Sequence, residues 1–117
     1  MVKDWPKLAA EWGASLAQLR AGIPDVMKGF GQIDAAAYKD GALDAKTKEL
    51  IAMALGVASR CDGCIAFHAK AAVKYGATRE ELQECLAMTV MMGGGPSVMY
   101  AALALEAFDQ WKAQAKA

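Results

Sequence analysis

The sequence predicts an all-helical, single-domain protein, and three observations lead to that prediction. Residues that favour helices (Ala, Leu, Met, Lys and Glu) dominate the chain. No stretch shows the alternation of apolar and polar residues that is typical of strands, and Gly and Pro are spaced so that helix-length segments lie between them. With 117 residues and no linker or low-complexity tract, residues 1–117 are expected to form one domain of about six helices.

The first two helices are predicted from their apolar stripes and their prolines. The first runs from about Asp4 to Arg20, with Pro6 in the opening turn, where proline is tolerated. Its apolar stripe comprises Trp5, Leu8, Trp12, Leu16 and Leu19. Pro24 opens the second helix, and Asp40-Gly41 closes the turn that follows it. Apolar residues at helical spacing in this second helix are Val26, Met27, Phe30, Ile33 and Ala37.

The third and fourth helices are predicted from capping residues. Asp44 can cap the third helix, which has its charges at the front and is apolar on every side from Leu50 to Val57. That pattern indicates a buried element. The fourth helix is expected to begin around Cys61 and to end at Tyr75-Gly76, with glycine in the usual position after a helix.

The last two helices are separated by a glycine-rich break. Thr78 and Glu81 form a capping box at the start of the fifth helix. Cys85 lies on the apolar stripe of this helix and is expected to be a small buried residue, while its methionines are expected to fill the core or an interface. The run Gly93–Pro96 is expected to break the chain, and the last helix to extend from about Ser97 to Lys112.

Composition narrows the possible functions. Thirteen basic and thirteen acidic residues cancel, and no Lys/Arg cluster is interleaved with aromatics, so we expect no nucleic-acid partner. The apolar run near the third helix is far shorter than the roughly 20 residues of a membrane span, so we expect no membrane partner. Three cysteines and no apolar leader at the N-terminus predict a cytoplasmic protein. The hydrophobic content of 56% favours contacts between subunits.

The segment from Cys61 to His68 carries the most informative motif. Cys61, Cys64 and His68 are spaced by three and four residues, which places their side chains on one face of a helix. A thiol reacts as its thiolate, and a helix N-terminus or a cationic imidazole lowers its pKa. Cysteines at this spacing can form a disulfide across one turn, and His68 can accept the proton of Cys64. The motif therefore favours a reversible dithiol.

Glu49 is the best-placed partner for this histidine. If the third and fourth helices pack antiparallel, Glu49 lies roughly 15 Å and His68 roughly 12 Å from the turn between them. The two side chains are then expected to meet. A carboxylate there would orient the imidazole and relay its proton.

These residues resemble a known family pattern. Glu49 is followed, twelve residues on, by Cys61, Cys64 and His68 in the form Cys-x-x-Cys-x-x-x-His. This pattern is similar to that of the alkylhydroperoxidase D-like branch of the carboxymuconolactone decarboxylase superfamily. The resemblance extends from about Leu43 through the glycine-rich break into the last helix, whereas the N-terminal third matches only loosely.

The resemblance implies an enzyme with a defined cycle. Cys64 would attack an alkyl hydroperoxide as thiolate and become a sulfenic acid, which Cys61 would capture as a disulfide. An external dithiol, on a lipoyl protein or a thioredoxin-like protein, would then reduce the pair, and no bound cofactor is implied. Such proteins assemble as homotrimers or homohexamers. Helix-dipole reasoning alone would instead favour Cys61 as the nucleophile, but the adjacent base is the stronger local influence on Cys64.

One departure from the family pattern and two alternative functions remain open. The better-known peroxidases of the family have a second histidine just before the second cysteine, where this chain has Gly63. That difference makes a general disulfide oxidoreductase or a sensor more plausible. Lactone decarboxylation by acid-base residues is one alternative, although it has no need of paired cysteines. A non-enzymatic module stapled by zinc, with Glu49, Cys85 or water as the fourth ligand, is the other.

Overall fold

The computed structural model describes residues 1–116, which form six α-helices and no strand. The helices are α1 (Trp5–Gly22), α2 (Pro24–Ala37), α3 (Ala45–Ala58), α4 (Asp62–Lys74), α5 (Arg79–Gly93) and α6 (Gly95–Ala115). The all-helical prediction is confirmed, and so is the position of the two-cysteine motif at the start of the fourth helix. Within residues 1–116 we find no helix that could serve as a membrane span.

Capping side chains fix the starts of three helices, and two of these caps, at α3 and α5, are the ones that the sequence predicts. The Asp4 carboxylate accepts from the Lys7 N–H at 3.2 Å, and the Asp44 carboxylate accepts from the Thr47 N–H at 2.8 Å. The Thr78 hydroxyl and Glu81 form the reciprocal capping box of α5. These caps satisfy backbone donors that the first turn of a helix leaves unpaired.

The connections at both ends of the chain are tighter than the sequence suggests. The first helix continues to Gly22, so that Ile23 alone separates it from α2. Likewise Gly94 alone separates α5 from α6, which begins at Gly95 rather than near Ser97. Gly94 has φ +66°, a conformation that glycine adopts without steric cost. Pro96 fits within the first turn of α6, because the N–H that proline lacks would be unpaired there.

The core lies between α3, α4, α5 and α6, and the N-terminus of α1 packs onto it. Its largest fully buried side chains are Trp5, Phe108, Met53, Ile65, Leu82 and Val57. The indole N–H of Trp111 donates to the Ala66 carbonyl oxygen at 2.9 Å, which ties α6 to α4. This packing holds α4, and with it the cysteine motif, against three other helices.

One expectation about buried surface is wrong. The third helix is not buried on every side, because Ile51 and Leu55 are exposed. The methionines of α5 are expected in the core or an interface, and on the protomer they are exposed, which excludes the core; they are Met88, Met91 and Met92. None of the residues of α2 is buried, and this helix packs closely only against α1. The protomer therefore presents apolar surface on α2, α3 and α5.

Candidate functional site

The turn between α3 and α4 places Cys61 directly after the end of α3. The Cys61 N–H donates to the Gly56 carbonyl oxygen at 2.9 Å, and the Arg60 N–H donates to that of Val57 at 3.1 Å. These two bonds form a Schellman motif, which requires a left-handed residue after the helix. Arg60 takes that conformation, with φ +52°, although it is not a glycine. Cys61 then becomes the N-cap of α4.

The two cysteines form a disulfide across the first turn of α4. Cys61 and Cys64 have their Cα atoms 5.2 Å apart, and the Cys61 sulfur accepts from the Cys64 N–H at 3.2 Å. Cys64 lines a cavity of about 220 Å³ together with His68. The remaining lining residues are Ala52, Leu55, Gly56 and Ser59, so most of the wall is apolar. A small molecule entering there would meet a sulfur atom and an imidazole.

The structure brings Glu49 and His68 together across the α3–α4 interface. The Glu49 carboxylate accepts from His68 Nδ1 at 2.8 Å, and the glutamate is only 3% exposed. Because Nδ1 donates to the carboxylate, the basic nitrogen of the neutral imidazole is Nε2. His68, the single histidine of the sequence, also lines the cavity at Cys64. The antiparallel packing that the sequence argument assumed produces this contact.

Tyr38 is a further polar residue at this pair, and the sequence gives no local signal for it. Its hydroxyl lies 3.5 Å from His68 Nδ1, at the end of α2. Burial, a hydrogen bond to Glu49 and the charge of that carboxylate raise the pKa of the Tyr38 hydroxyl above its ordinary value. Tyr38, Glu49 and His68 line a second cavity of about 390 Å³. His68 thus stands between two cavities, with sulfur on one side and phenol and carboxylate on the other.

Trp12 packs against Gly63, the position at which the better-known peroxidases of the family have a second histidine. A Cβ atom added to Gly63 would lie 3.2 Å from Cε2 of the Trp12 indole and 3.3 Å from its Cδ2. That separation is closer than an ordinary carbon–carbon contact. A side chain at position 63 therefore requires the Trp12 indole to move by a few tenths of an ångström.

A carboxylate between the cysteines is neutralised by the N-terminal segment. Asp62, the first residue of α4, forms an ion pair with Lys3. Burial acts to raise the pKa of Asp62, but hydrogen bonds from Lys3 and Tyr100 outweigh it and hold this pKa below its usual value. Lys3 thus compensates a negative charge that would otherwise oppose thiolate formation beside it.

The third cysteine lies apart from this site, and the described chain shows no metal-ligand cluster. Cys85 is partly buried on α5, and burial, with the charges of Glu81 and Glu84, raises the pKa of its thiol. Among residues 1–116, no group of three or more His, Cys, Asp or Glu side chains is arranged to hold a metal ion. A zinc-stapled module needs such a group, so the geometry gives that alternative no support.

Comparisons with known proteins agree with this geometry. Residues 24–107 match the carboxymuconolactone decarboxylase family. A protein of that family from Legionella pneumophila has a solved structure that superposes with a TM-score of 0.89 at 56% identity, covering 92% of this chain and 96% of that chain.

Two further relatives extend the comparison. An uncharacterized protein of Cupriavidus necator is 43% identical over 109 residues, which cover 93% of this chain and 96% of the relative. A solved structure from Thermotoga maritima, of a family protein for which a part in the antioxidative response has been suggested, superposes with a TM-score of 0.78 at 28% identity, covering 91% and 93% of the two chains. By sequence, fold and extent of match, the chain belongs to the carboxymuconolactone decarboxylase family.

Proposed function

We propose that the protein is a thiol-dependent alkyl hydroperoxide reductase of the alkylhydroperoxidase D-like branch. The observation that carries the proposal is that Cys64 and His68 line one cavity while Glu49 holds Nδ1 of the same imidazole. A thiol, a base and the group that orients the base are the components of an activated nucleophile. The suggested antioxidative part of the Thermotoga maritima relative agrees with this chemistry.

The first half of the cycle consumes the peroxide. In the reduced protein, His68 Nε2 takes the Cys64 proton, and the thiolate attacks one peroxide oxygen. The O–O bond breaks, an S–O bond forms, and the imidazolium returns its proton to the departing alkoxide. Cys64 is then a sulfenic acid, the peroxide has become an alcohol, and the imidazole is neutral again. Two electrons have moved from sulfur to the peroxide.

The second half restores the dithiol. The Cys61 thiol attacks the sulfenic sulfur, which gives the disulfide seen in the structure and releases water. An external dithiol then attacks the Cys64 sulfur, and Cys61 departs as a thiolate. As the N-cap of α4, Cys61 receives the Cys64 N–H, and this stabilised thiolate is the better leaving group. The reductant, on a lipoyl or thioredoxin-like protein, becomes a disulfide itself.

The two cysteines therefore have different roles in the proposed cycle. Helix-dipole reasoning favours a stable Cys61 thiolate, and the N-cap position agrees with it. Cys64, which lines the cavity beside the imidazole, is the cysteine that an entering peroxide meets. The attacking and the leaving thiolate are therefore different residues. Lactone decarboxylation uses neither role, which is why the cysteine pair favours peroxide reduction over that alternative.

The expected homotrimer or homohexamer has support from the surface of the protomer. Apolar residues are exposed on α2, α3 and α5, beside the cavity at Cys64 as well as far from it. Monomeric proteins rarely expose apolar patches of this kind. Leu55 both lines the Cys64 cavity and is exposed, so a neighbouring subunit on α3 would narrow the entrance.

Intact-mass spectrometry of the reduced protein tests the proposed cycle. One equivalent of cumene hydroperoxide is expected to lower the mass by about two units, since sulfenate formation and condensation remove two hydrogens in total. Cys61→Ser is expected to stop at the sulfenic acid, about sixteen units heavier, and Cys64→Ser to remain unchanged. A wild-type mass that does not change, or that rises irreversibly, would contradict the proposal.

A further inference from the structure

The end of α2 reaches the site although the rest of that helix does not. No residue of α2 is buried, and α2 packs closely only against α1. Yet Tyr38, its C-cap residue, lies 3.5 Å from His68 Nδ1 and lines one cavity together with Glu49. A contact between residues 30 positions apart, at the end of a loosely packed helix, needs something that holds that end in place.

Lys48 supplies that attachment. Its ammonium group donates to the Ala37 carbonyl oxygen at 3.0 Å and to the Lys39 carbonyl oxygen at 2.6 Å. These carbonyls flank Tyr38 at the C-terminal end of α2, where carbonyl groups lack helical partners and the helix dipole favours a cation. Lys48 and Glu49 are neighbours on α3, so one residue holds the backbone around Tyr38 while the next lines the same cavity as its hydroxyl.

The hydroxyl has one acceptor that suits its proton. His68 Nδ1 already donates its own hydrogen to Glu49 at 2.8 Å, so it cannot accept from Tyr38. The Glu49 carboxylate has lone pairs for both donors, and it is almost fully buried. A buried carboxylate is stable as an anion only when donors compensate for its lost hydration. The Tyr38 hydroxyl, which lies beside the Glu49–His68 pair, is therefore placed to be the second donor to that carboxylate.

We propose that Tyr38, held by Lys48, is a positioning residue of the site: its hydroxyl donates to Glu49, directs that carboxylate at His68, and thereby favours the imidazolium–thiolate pair with Cys64. This inference rests on the proposed thiol chemistry and adds to it the group behind the base. Titratable and charged groups that line the cavity around the hydroxyl are Asp34, Glu49, His68, Lys74 and Tyr75.

The rate at which iodoacetamide alkylates Cys64 in the reduced protein tests the proposal without any peroxide. Following the Cys64 peptide by mass spectrometry separates it from Cys85. Tyr38→Phe is expected to slow this alkylation about tenfold at pH 7, because a hydrogen bond to a charged group is worth about that factor. The midpoint of its pH profile is expected to rise by about one unit, since a tenfold change in equilibrium corresponds to one pH unit.

Tyr75→Phe is the matched control, because Tyr75 lines the same cavity with the same side chain. We expect it to leave the rate and the midpoint within twofold and about 0.3 units of the wild type. Lys48→Met, which keeps the alkyl stem, is expected to slow alkylation about threefold, as part of the tenfold effect of the hydroxyl. Far-UV circular dichroism and thermal unfolding show that each variant is folded, and equal effects of Tyr38→Phe and Tyr75→Phe would overturn the proposal.

A double-mutant cycle shows whether Tyr38 acts through Glu49. In a Glu49→Gln background the carboxylate is absent, so adding Tyr38→Phe is expected to change the alkylation rate by less than twofold. A tenfold effect that persists in that background would overturn the proposal, as would an unchanged profile of Tyr38→Phe alone. If the alkylation profile shifts as expected while the wild type does not consume hydroperoxide, the positioning role stands and the proposed peroxidase function fails.

Discussion

Two glutamates interrupt apolar helices of this protein, and their surroundings differ in one decisive way. Glu106 on α6 accepts from the backbone N–H groups of Val2 at 2.5 Å and Lys3 at 3.1 Å, and from the Trp5 indole at 2.9 Å. None of these donors gives up its proton in the accessible pH range. Glu49 on α3 instead accepts from His68 and lies beside Tyr38, and imidazole and phenol are groups that can give up a proton.

Under the proposed function, Glu106 is a structural carboxylate and Glu49 a reactive one. Glu106, with Gln110 one turn later, holds residues 2–5 against α6, and we call these two side chains the N-terminal clasp. Glu49 lines the cavity at Tyr38, and the imidazole that it holds also lines the cavity at Cys64. A carboxylate whose donors keep their protons only stabilises the fold. A carboxylate beside groups that can give up a proton can take part in acid–base chemistry.

The largest expected effect is on catalysis at Glu49. Glu49→Gln keeps the shape of the side chain but cannot stabilise the imidazolium, so we expect kcat/KM for cumene hydroperoxide to fall about 100- to 10,000-fold. Its free energy of unfolding is expected to change by less than about 1 kcal/mol, because the amide oxygen still accepts from His68 Nδ1. Steady-state peroxide consumption and urea titration measure the two quantities.

Glu106→Gln is the matched control for that experiment. It makes the same chemical change in the clasp, and we expect kcat/KM to stay within about threefold of the wild type, far inside the factor expected for a general base. Equal losses of activity in the two variants would remove the distinction between the glutamates. So would a Glu49→Gln enzyme that turns over at the wild-type rate.

Much of this site could be predicted from the sequence because its parts are local or periodic. Cys61, Cys64 and His68 lie within eight residues, and their helix follows from composition and caps. The position of Glu49 could be predicted because, in two antiparallel helices joined by a short turn, residues at similar distances from the turn lie opposite each other. The zinc-stapled alternative weakens for a related reason: among residues 1–116, no group of three or more candidate ligands is arranged to hold a metal ion.

Other features depend on tertiary contacts that no local pattern encodes. Tyr38 contacts His68, which is 30 positions away in the sequence. It lies at the end of α2, and the apolar pattern of that helix gives no sign of a polar residue at the site. The place of Trp12 over Gly63 depends on how α1 crosses α4. The turn at Arg60 could not be predicted either. After α4 the left-handed position is occupied by Gly76, the residue type usual there, whereas after α3 it is occupied by an arginine, which gives no such signal. The third helix is predicted to be buried, and part of it is exposed, since an apolar pattern identifies an apolar face but not the surface that covers it.

The next largest effect is on stability at the clasp. Glu106→Gln replaces an anion that accepts three hydrogen bonds with a neutral amide, and its NH₂ group faces donors. We expect the free energy of unfolding to fall by about 1–2 kcal/mol, at the lower end for bonds to a charged group because the carboxylate is partly exposed. Urea unfolding at pH 7 measures it, and a loss smaller than that of Glu49→Gln would contradict the comparison.

The stability lost in Glu106→Gln is expected to depend on pH. Burial acts to raise the pKa of Glu106, but the bonds from Trp5, Val2 and Lys3 outweigh it and hold this pKa below the ordinary 4.5. A carboxyl whose pKa is depressed on folding stabilises the protein above its unfolded pKa and loses that share as pH falls through the folded value. The stability difference between wild type and Glu106→Gln is therefore expected to narrow below about pH 4.5. A difference that stays constant from pH 7 to pH 3 would show that the charge contributes nothing.

The smallest expected effect comes from the uncharged half of the clasp. Gln110 accepts from the Trp5 N–H at 2.8 Å and donates to the Lys3 carbonyl oxygen at 2.8 Å. Gln110→Ala leaves both partly buried backbone groups without that partner, and we expect a loss of about 1 kcal/mol. Because no titrating group is removed, the loss is expected to be the same at pH 7 and pH 4. Parallel urea titrations of Gln110→Ala and Glu106→Gln at both pH values therefore separate the contribution of the Glu106 charge from that of the hydrogen bonds. If the stability lost in Gln110→Ala varied with pH, part of the pH dependence seen in Glu106→Gln would have to be assigned to Gln110.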